Sequence, residues 1–166
     1  MDYIITRLDP IDFKKCSNIW DMERQADLAK QFYQELLDEK RITYIFQVKE
    51  EYIGEISLVF DMGDTDYTID KQRVYVSRLI VKPEYRRRGI GKTLVGFAVQ
   101  AAKEMGYSEL SIGVDLDNYA ALKLYFEAGF TNILYVGEDS DGKYIKLLMK
   151  LVDSEKMLTV KRAMGD

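Results

Sequence analysis

Apolar positions along the chain fall into two rhythms, one of period two and one of helical period, and their alternation predicts the elements. Tyr3 to Leu8 alternates weakly and predicts a first strand. Asp9-Pro10 then opens a helix, with Asp12 as its cap, along which Phe13, Cys16, Ile19 and Trp20 recur at helical spacing. A second helix runs from Ala26 to Glu39, with Leu28, Phe32, Leu36 and Leu37 on one face. Thr43–Val48 and Tyr52–Phe60 are rich in β-branched and aromatic residues and, with Glu50-Glu51 between them, predict a hairpin. Asp61 to Lys71 is polar and contains glycine, so it is a loop. Val74 to Val81 is a near-continuous apolar run, as in a strand covered on both faces, and Pro83 stops it. Thr93 to Met105 is amphipathic, with Leu94, Val95, Ala98, Ala101, Ala102 and Met105 inward and Gly106 as its terminator. Glu109–Val114 is a short strand. Asn118–Ala128 is a helix capped by Asp117 or Asn118 and stopped by Gly129. Phe130–Val136 and Tyr144–Leu151 predict a hairpin turned at Asp141-Gly142.

This order predicts an α/β (α+β) fold: a mixed sheet interrupted by helices. The unit from Val74 to Val114 is a right-handed strand–helix–strand crossover, so its two strands run parallel. Residues 1–151 make a single domain, and 152–166 a polar C-terminal tail.

Composition narrows the chemistry. The chain of 166 residues carries 24 Lys and Arg against 28 Asp and Glu, a net charge of -4, which disfavours broad nucleic-acid binding. It has no histidine, which removes every mechanism that needs a histidine base and every Cys–His metal set, so no metal is expected. The one cysteine, Cys16, cannot form an internal disulfide and reads as a small buried hydrophobe. No basic-then-apolar leader opens the chain, and no apolar run nears the ~20 residues of a membrane helix. The expectation is a cytoplasmic protein with no membrane partner.

Against that acidic background Arg86-Arg87-Arg88-Gly89-Ile90-Gly91-Lys92 stands out. It joins the central apolar strand to the start of the long helix. Glycines there let backbone approach a ligand and adopt positive φ, and the first amides of a helix have no internal partner and favour an anion. The three-glycine dinucleotide pattern and the phosphate-loop pattern both fail, because a third glycine is missing and Arg86 stands five residues before Gly91. The loop alone fits either a diphosphate cradle or a helix start with a solvated basic face.

A second segment, Asn118-Tyr119-Ala120-Ala121-Leu122-Lys123-Leu124-Tyr125-Phe126-Glu127-Ala128-Gly129-Phe130, follows at a characteristic distance. Together with Val81-Lys82-Pro83-Glu84-Tyr85-Arg86 through Gly91, it resembles the GNAT superfamily of acetyl-CoA-dependent N-acetyltransferases. The resemblance covers the element order from Tyr44 to Leu151 and is sharpest from Leu79 to Phe130. It implies a mostly antiparallel mixed sheet with flanking helices and a central parallel pair splayed apart. It also implies that backbone of Leu79, Ile80 and Val81 lines the pantetheine arm of acetyl-CoA, and that amides from Arg86, Arg87, Arg88, Gly89, Ile90, Gly91 and Lys92 hold the diphosphate. Asn118 would cap its helix beside the cofactor. Tyr125, otherwise a core aromatic seven residues from Asn118 on the same face, would be the general acid for the departing thiolate. Arg87, Arg88 and Lys123 also read as plain solvated side chains.

The family's acidic bases do not carry over. One position, five residues before Asn118, is Gly113; the other, fourteen before Gly89, is Tyr75. Asp115 and Asp117 lie nearby, and the base stays unassigned. Asp61, Asp64, Asp66 and Asp70 lie in the loop before the central strand, and Asp139 and Asp141 in the last hairpin. Both loops are expected at the end opposite the diphosphate. Their carboxylates suggest a cationic small-molecule amine as acceptor, and solvated turns account for them equally. The implied partner is thus a small-molecule amine or a peptide amine, with an acetyl-CoA-binding sensor as the non-catalytic alternative. Members of the superfamily often dimerise, so the resemblance admits a homodimer to which the tail from Val152 contributes.

Overall fold

The computed structural model describes residues 1–151 and 162–165. The proposed role of the tail in pairing therefore lies largely outside the described residues. Seven strands, β1 (Ile4–Arg7), β2 (Arg41–Val48), β3 (Glu51–Val59), β4 (Arg73–Val81), β5 (Glu109–Asp115), β6 (Asn132–Asp139) and β7 (Gly142–Lys150), form one sheet in the order β1-β2-β3-β4-β5-β7-β6. Among the described residues, three α-helices, α1 (Ala26–Leu37), α2 (Ile90–Glu104) and α3 (Tyr119–Ala128), a 3₁₀ helix at Pro10–Asn18 and a short 3₁₀ turn at Pro83–Tyr85 accompany it. Every neighbouring pair is antiparallel except β4 and β5, which α2 joins as the crossover requires. The predicted mixed, mostly antiparallel architecture with flanking helices is the one observed.

Strand alternation sends side chains to two cores. Tyr44, Phe46, Ile56, Leu58, Val74, Val76, Leu110 and Ile112 meet Leu94, Val95, Ala98 and Ala102 of α2 and Tyr125 of α3. On the other face Ile45 and Tyr52 meet Leu8, Cys16, Trp20, Phe32 and Leu36 from the 3₁₀ helix and α1. Strand β4 lies fourth of seven in the sheet, which explains its apolar run.

Four local expectations are corrected. The first helix is 3₁₀, and its cap is Asp9, not Asp12. Pro10 takes the first helical position, so the preceding Asp9 accepts from Ile11 N at 3.1 Å. Asp12 instead pairs with Lys15 at 3.1 Å. Leu37 and Met105 are exposed rather than inward, because α1 ends at Leu37 and Met105 is the cap residue after α2. The last hairpin turns at Ser140-Asp141: Asp139 pairs directly with Gly142, which begins β7 at φ 119°. That hairpin also lies at the other end from the one expected. Asp115 at the carboxyl end of β5 faces Tyr144 near the start of β7, so the turn sits beyond the carboxyl ends of the parallel strands.

Candidate active site

Strands β4 and β5 pair only at Arg73–Glu109, Val74–Leu110 and Tyr75–Ser111. Beyond those residues β5 stays paired with β7 to Asp115 and β4 stays paired with β3 to Val81, so the two parallel strands diverge. The result is a wedge-shaped cleft whose wall includes the edge of Leu79, Ile80 and Val81 that β5 leaves unpaired. A bulge shapes that wall. Between Ser57–Ser77 and Glu55–Ile80, β3 advances two residues and β4 three. The extra residue falls at Arg78 or Leu79, and Arg78 takes φ 58°, a left-handed conformation that a non-glycine residue resists.

The glycine loop follows β4 at the open end of the wedge. Arg87 at φ 64° and Gly89 at φ 80° both turn the chain left-handed. Gly89 has no side chain with which to cap α2, and the first intrahelical closure is Thr93 N to Gly89 O at 3.0 Å. The amides of Ile90, Gly91 and Lys92 precede that closure and point out of the helix end. Gly91 is helical; a Cβ there would stand 3.5 Å from Leu124 Cδ2, in ordinary contact. The arginines divide in role. Arg86 Nε donates to Val81 O at 3.0 Å and Arg88 to Glu84 O at 3.3 Å, which holds the loop's shape. All three arginines and Lys92 are exposed around the helix end.

Helix α3 brings the second segment to the same wedge. Asn118 caps it, accepting from Ala121 N at 3.2 Å, and Gly129 ends it at φ 115°. Tyr125 is buried, edge-on to Phe130 at 5.8 Å. Burial, and then the neighbouring Tyr75, push its phenol up to about 12, so it stays protonated at neutral pH. The influence of Tyr75 on β4 upon Tyr125 on α3 places these two side chains within electrostatic reach of each other.

The positions of the two missing acids are themselves close together. Tyr75 stacks against Tyr67 with ring centroids 4.7 Å apart. A Cβ on Gly113 would meet the Tyr67 hydroxyl at 2.5 Å, so a tyrosine from the 61–72 loop fills the space that glycine leaves. Burial pushes Tyr67 up to about 12 and Tyr75 upward as well. With Asp64, Tyr144 and Lys146 these residues line a cavity of about 360 Å³. The loop carboxylates there are occupied: Lys146 Nζ lies 2.8 Å from Asp64 and 3.1 Å from Asp66, between the rings of Tyr67 and Tyr135. Asp61 and Asp139 each accept from a backbone amide two residues on. The turn role weighed for these acids is filled by Asp61, Asp64 and Asp139.

A polar group buried on the α1 face is absent from the expectations. Arg41, 4% exposed, lies over the Phe32 ring at 3.7 Å and reaches Ser77 Oγ at 3.3 Å and Glu35 at 3.4 Å. Arg78 lies over Trp20 at 4.6 Å. Glu55, also 4% exposed, sits in the register position opposite Ile80. A signal for it exists in the sequence: one acid in the otherwise apolar centre of Tyr52–Phe60.

Comparisons with known proteins agree with this geometry. A family model described as "Acetyltransferase (GNAT) family" matches residues 5–130. The N-alpha-acetyltransferase 30 of Xenopus laevis is 34% identical over 90 residues, 54% of this chain and 32% of that protein. The chain therefore spans about a third of that relative's length. Among solved structures, aminoglycoside 6'-acetyltransferase type Ii superposes with a TM-score of 0.73 at 20% identity, over 90% of this chain and 98% of the other. A GNAT family acetyltransferase from Elizabethkingia anophelis with acetyl-CoA bound gives 0.67 at 20% identity, over 90% and 98%. At these identities the structural likeness is one of fold. Among the described residues no helix is long and apolar enough to cross a membrane.

Proposed function

This chain belongs to the acetyltransferase (GNAT) family, and on that basis we propose that it transfers an acetyl group from acetyl-CoA to a primary amine. The observation that carries the reading is the pairing of a glycine-started helix with a wedge between β4 and β5 that opens beside it. The amides of Arg86 through Lys92, with Gly89, Ile90 and Gly91 at the centre, suit a diphosphate. The edge of Leu79, Ile80 and Val81 suits the amide groups of a pantetheine arm, which add to a free strand edge as a further strand would. Asn118 fixes the start of α3 alongside.

The chemistry asks three things of the site. The amine nitrogen attacks the thioester carbon, and charge builds on the carbonyl oxygen; a backbone N–H on the bulged edge of β4 stabilises it. The C–S bond then breaks, and the thiolate takes a proton that the buried phenol of Tyr125 supplies. Holding both substrates in one cleft supplies much of the remaining acceleration. The acceptor is assigned to the α1 side of the sheet, which the 3₁₀ helix and α1 cover and α2 and α3 do not. Arg41 and Arg78 flank that face, Lys146 holds Asp64 and Asp66, and the Asp139–Asp141 turn lies beyond the carboxyl ends of the parallel strands, so the acids do not favour a cationic acceptor over a neutral one. A peptide amine is the second reading, favoured by the N-alpha-acetyltransferase relative. Thiol release from acetyl-CoA, followed with a chromogenic disulfide over spermidine, an aminoglycoside and a tetrapeptide with a free α-amine, tests both. Release with any of them supports acyl transfer and identifies the class. Binding of acetyl-CoA without release on a broad amine panel would instead favour a sensor.

A further inference from the structure

We propose that Glu55 is the proton acceptor for the incoming amine, acting through water across the width of β4. The inference rests on the acyl-transfer reading and supplies the base that reading lacks.

The geometry singles this residue out. Glu55 is on β3, directly across from Ile80, whose backbone lines the cleft. Its side chain points to the α1 face, where Trp20, Arg78, Arg41 and Cys16 surround it. Three polar atoms of this region are buried without a hydrogen-bond partner: Glu55 Oε1, Trp20 Nε1 and Arg78 Nε. The Trp20 indole and Arg78 both act on the Glu55 carboxylate, so the two donors and the acceptor face one another, and a water that gives and takes hydrogen bonds would join them. Unmet polar atoms in a folded core call for an explanation, and these three lie beside the bulge at which Arg78 turns left-handed. Among the described residues, no lysine or arginine nitrogen comes within 4.0 Å of the Glu55 carboxylate to neutralise it.

Around the cleft the other carboxylates are Asp64, which Lys146 holds, and the exposed Asp115 and Asp139; the two places of the missing acids carry phenols. Tyr75 and Tyr67 fill the two places where an acid is missing, and burial pushes both upward, away from ionisation at neutral pH. Glu55 is shifted toward neutrality instead. Burial raises it to about 7, against the opposing pull of Arg78 on β4, the Trp20 indole and Arg41 on β2. Cys16 of the 3₁₀ helix also faces it; burial, and then the Glu55 charge, push that thiol up, so it stays neutral. Glu35 of α1 is turned to Arg41. A base with a pKa close to the working pH is half ionised yet strong enough to accept.

The step balances. An ammonium gives one proton to Glu55 by way of water, a relay needed because adjacent strands lie about 4.8 Å apart. The freed lone pair forms the C–N bond. The C–S electrons leave with sulfur, which takes the phenolic proton of Tyr125. The second amine proton returns the phenol to its starting state, and Glu55 gives its proton to solvent. The products are an amide and coenzyme A.

Glu55→Gln keeps the shape and removes the basicity. The probe acceptors are the free-amine tetrapeptide and spermidine, whose amine pKa values differ by about two units. In the unaltered protein kcat/KM rises with pH through a limb near 7 common to both acceptors, beside a limb that moves with the amine. In Glu55→Gln the common limb vanishes and kcat/KM drops about 100-fold or more, while acetyl-CoA affinity by calorimetry is unchanged. A surviving common limb, or a loss under about threefold, overturns the assignment and leaves acyl transfer standing. Absence of acetyl-CoA binding to the unaltered protein sinks the underlying reading instead. If Glu55→Gln does not fold, carboxyl carbon NMR on the unaltered protein decides: a midpoint near 7 supports the inference, and one in the ordinary glutamate range overturns it.

Discussion

Replacing Gly89 and Gly91 by alanine, one at a time, makes the same chemical change two residues apart and has opposite expected effects. Gly89 stands at φ 80°, ψ 8°, and nothing lies within 4 Å of the position a Cβ would take. Its cost is therefore conformational alone. A left-handed L-residue costs about 1–2 kcal/mol, and the stiffer unfolded chain returns about 0.4–1 kcal/mol. The net loss is about 1 kcal/mol, or about 2–4 °C in Tm for a chain of this length. Gly91 is already helical, and its Cβ would touch Leu124 Cδ2 at 3.5 Å and Leu79 Cδ2 at 3.8 Å without overlap. Alanine there gains about 0.5–1 kcal/mol, which raises Tm by about 1–4 °C. Thermal unfolding followed by circular dichroism reads both. Shifts of the same sign would refute the reasoning, because they would mean that the two glycines share one conformational role.

Three further outcomes follow from single residues. Tyr125→Phe keeps the edge-on packing with Phe130, so Tm moves by less than about 2 °C while kcat falls about 10²–10⁴-fold; unaltered turnover removes Tyr125 from the donor role. Cys16 is fully buried with its thiol pushed up, so a thiol reagent at pH 8 labels it only on unfolding, and rapid stoichiometric labelling of the folded protein would contradict that placement. Glu55 titrates near 7 when folded against an ordinary 4.5. The folded state then holds a proton that the unfolded chain has released, so stability falls as pH rises through that window and levels above it. Melting curves from pH 4.5 to 7.5 should fall less steeply for Glu55→Gln; equal slopes would show the carboxyl unshifted.

The elements were legible because their signals are local. Pro83 ends β4, Gly106 and Gly129 stop α2 and α3, and the apolar run from Val74 reports a strand covered on both faces. Errors came where two residues compete for one local role. Asp9 and Asp12 both suit a cap, and Pro10 decides between them by taking the first helical position. Ser140, Asp141 and Gly142 all suit a turn, and strand register decides. At the site, the loop is legible as a glycine turn between strand and helix, and the family resemblance gives Asn118 its place. Glu55, Arg41 and Arg78 are less legible, because each looks like an isolated charge in a strand until β2, β3 and β4 lie side by side. The filling of the Gly113 space by Tyr67 is a contact between residues 46 positions apart, and no periodicity reports it.

Calorimetric titration of coenzyme A into the unaltered protein and into Gly89→Glu tests the central claim most directly. The account predicts saturable heat for the unaltered chain and none for Gly89→Glu, whose carboxylate would stand in the diphosphate's place while the variant remains folded by circular dichroism. No heat from the folded, unaltered protein, or equal affinity in the two, would contradict a cradle built from the amides around Gly89 and Gly91.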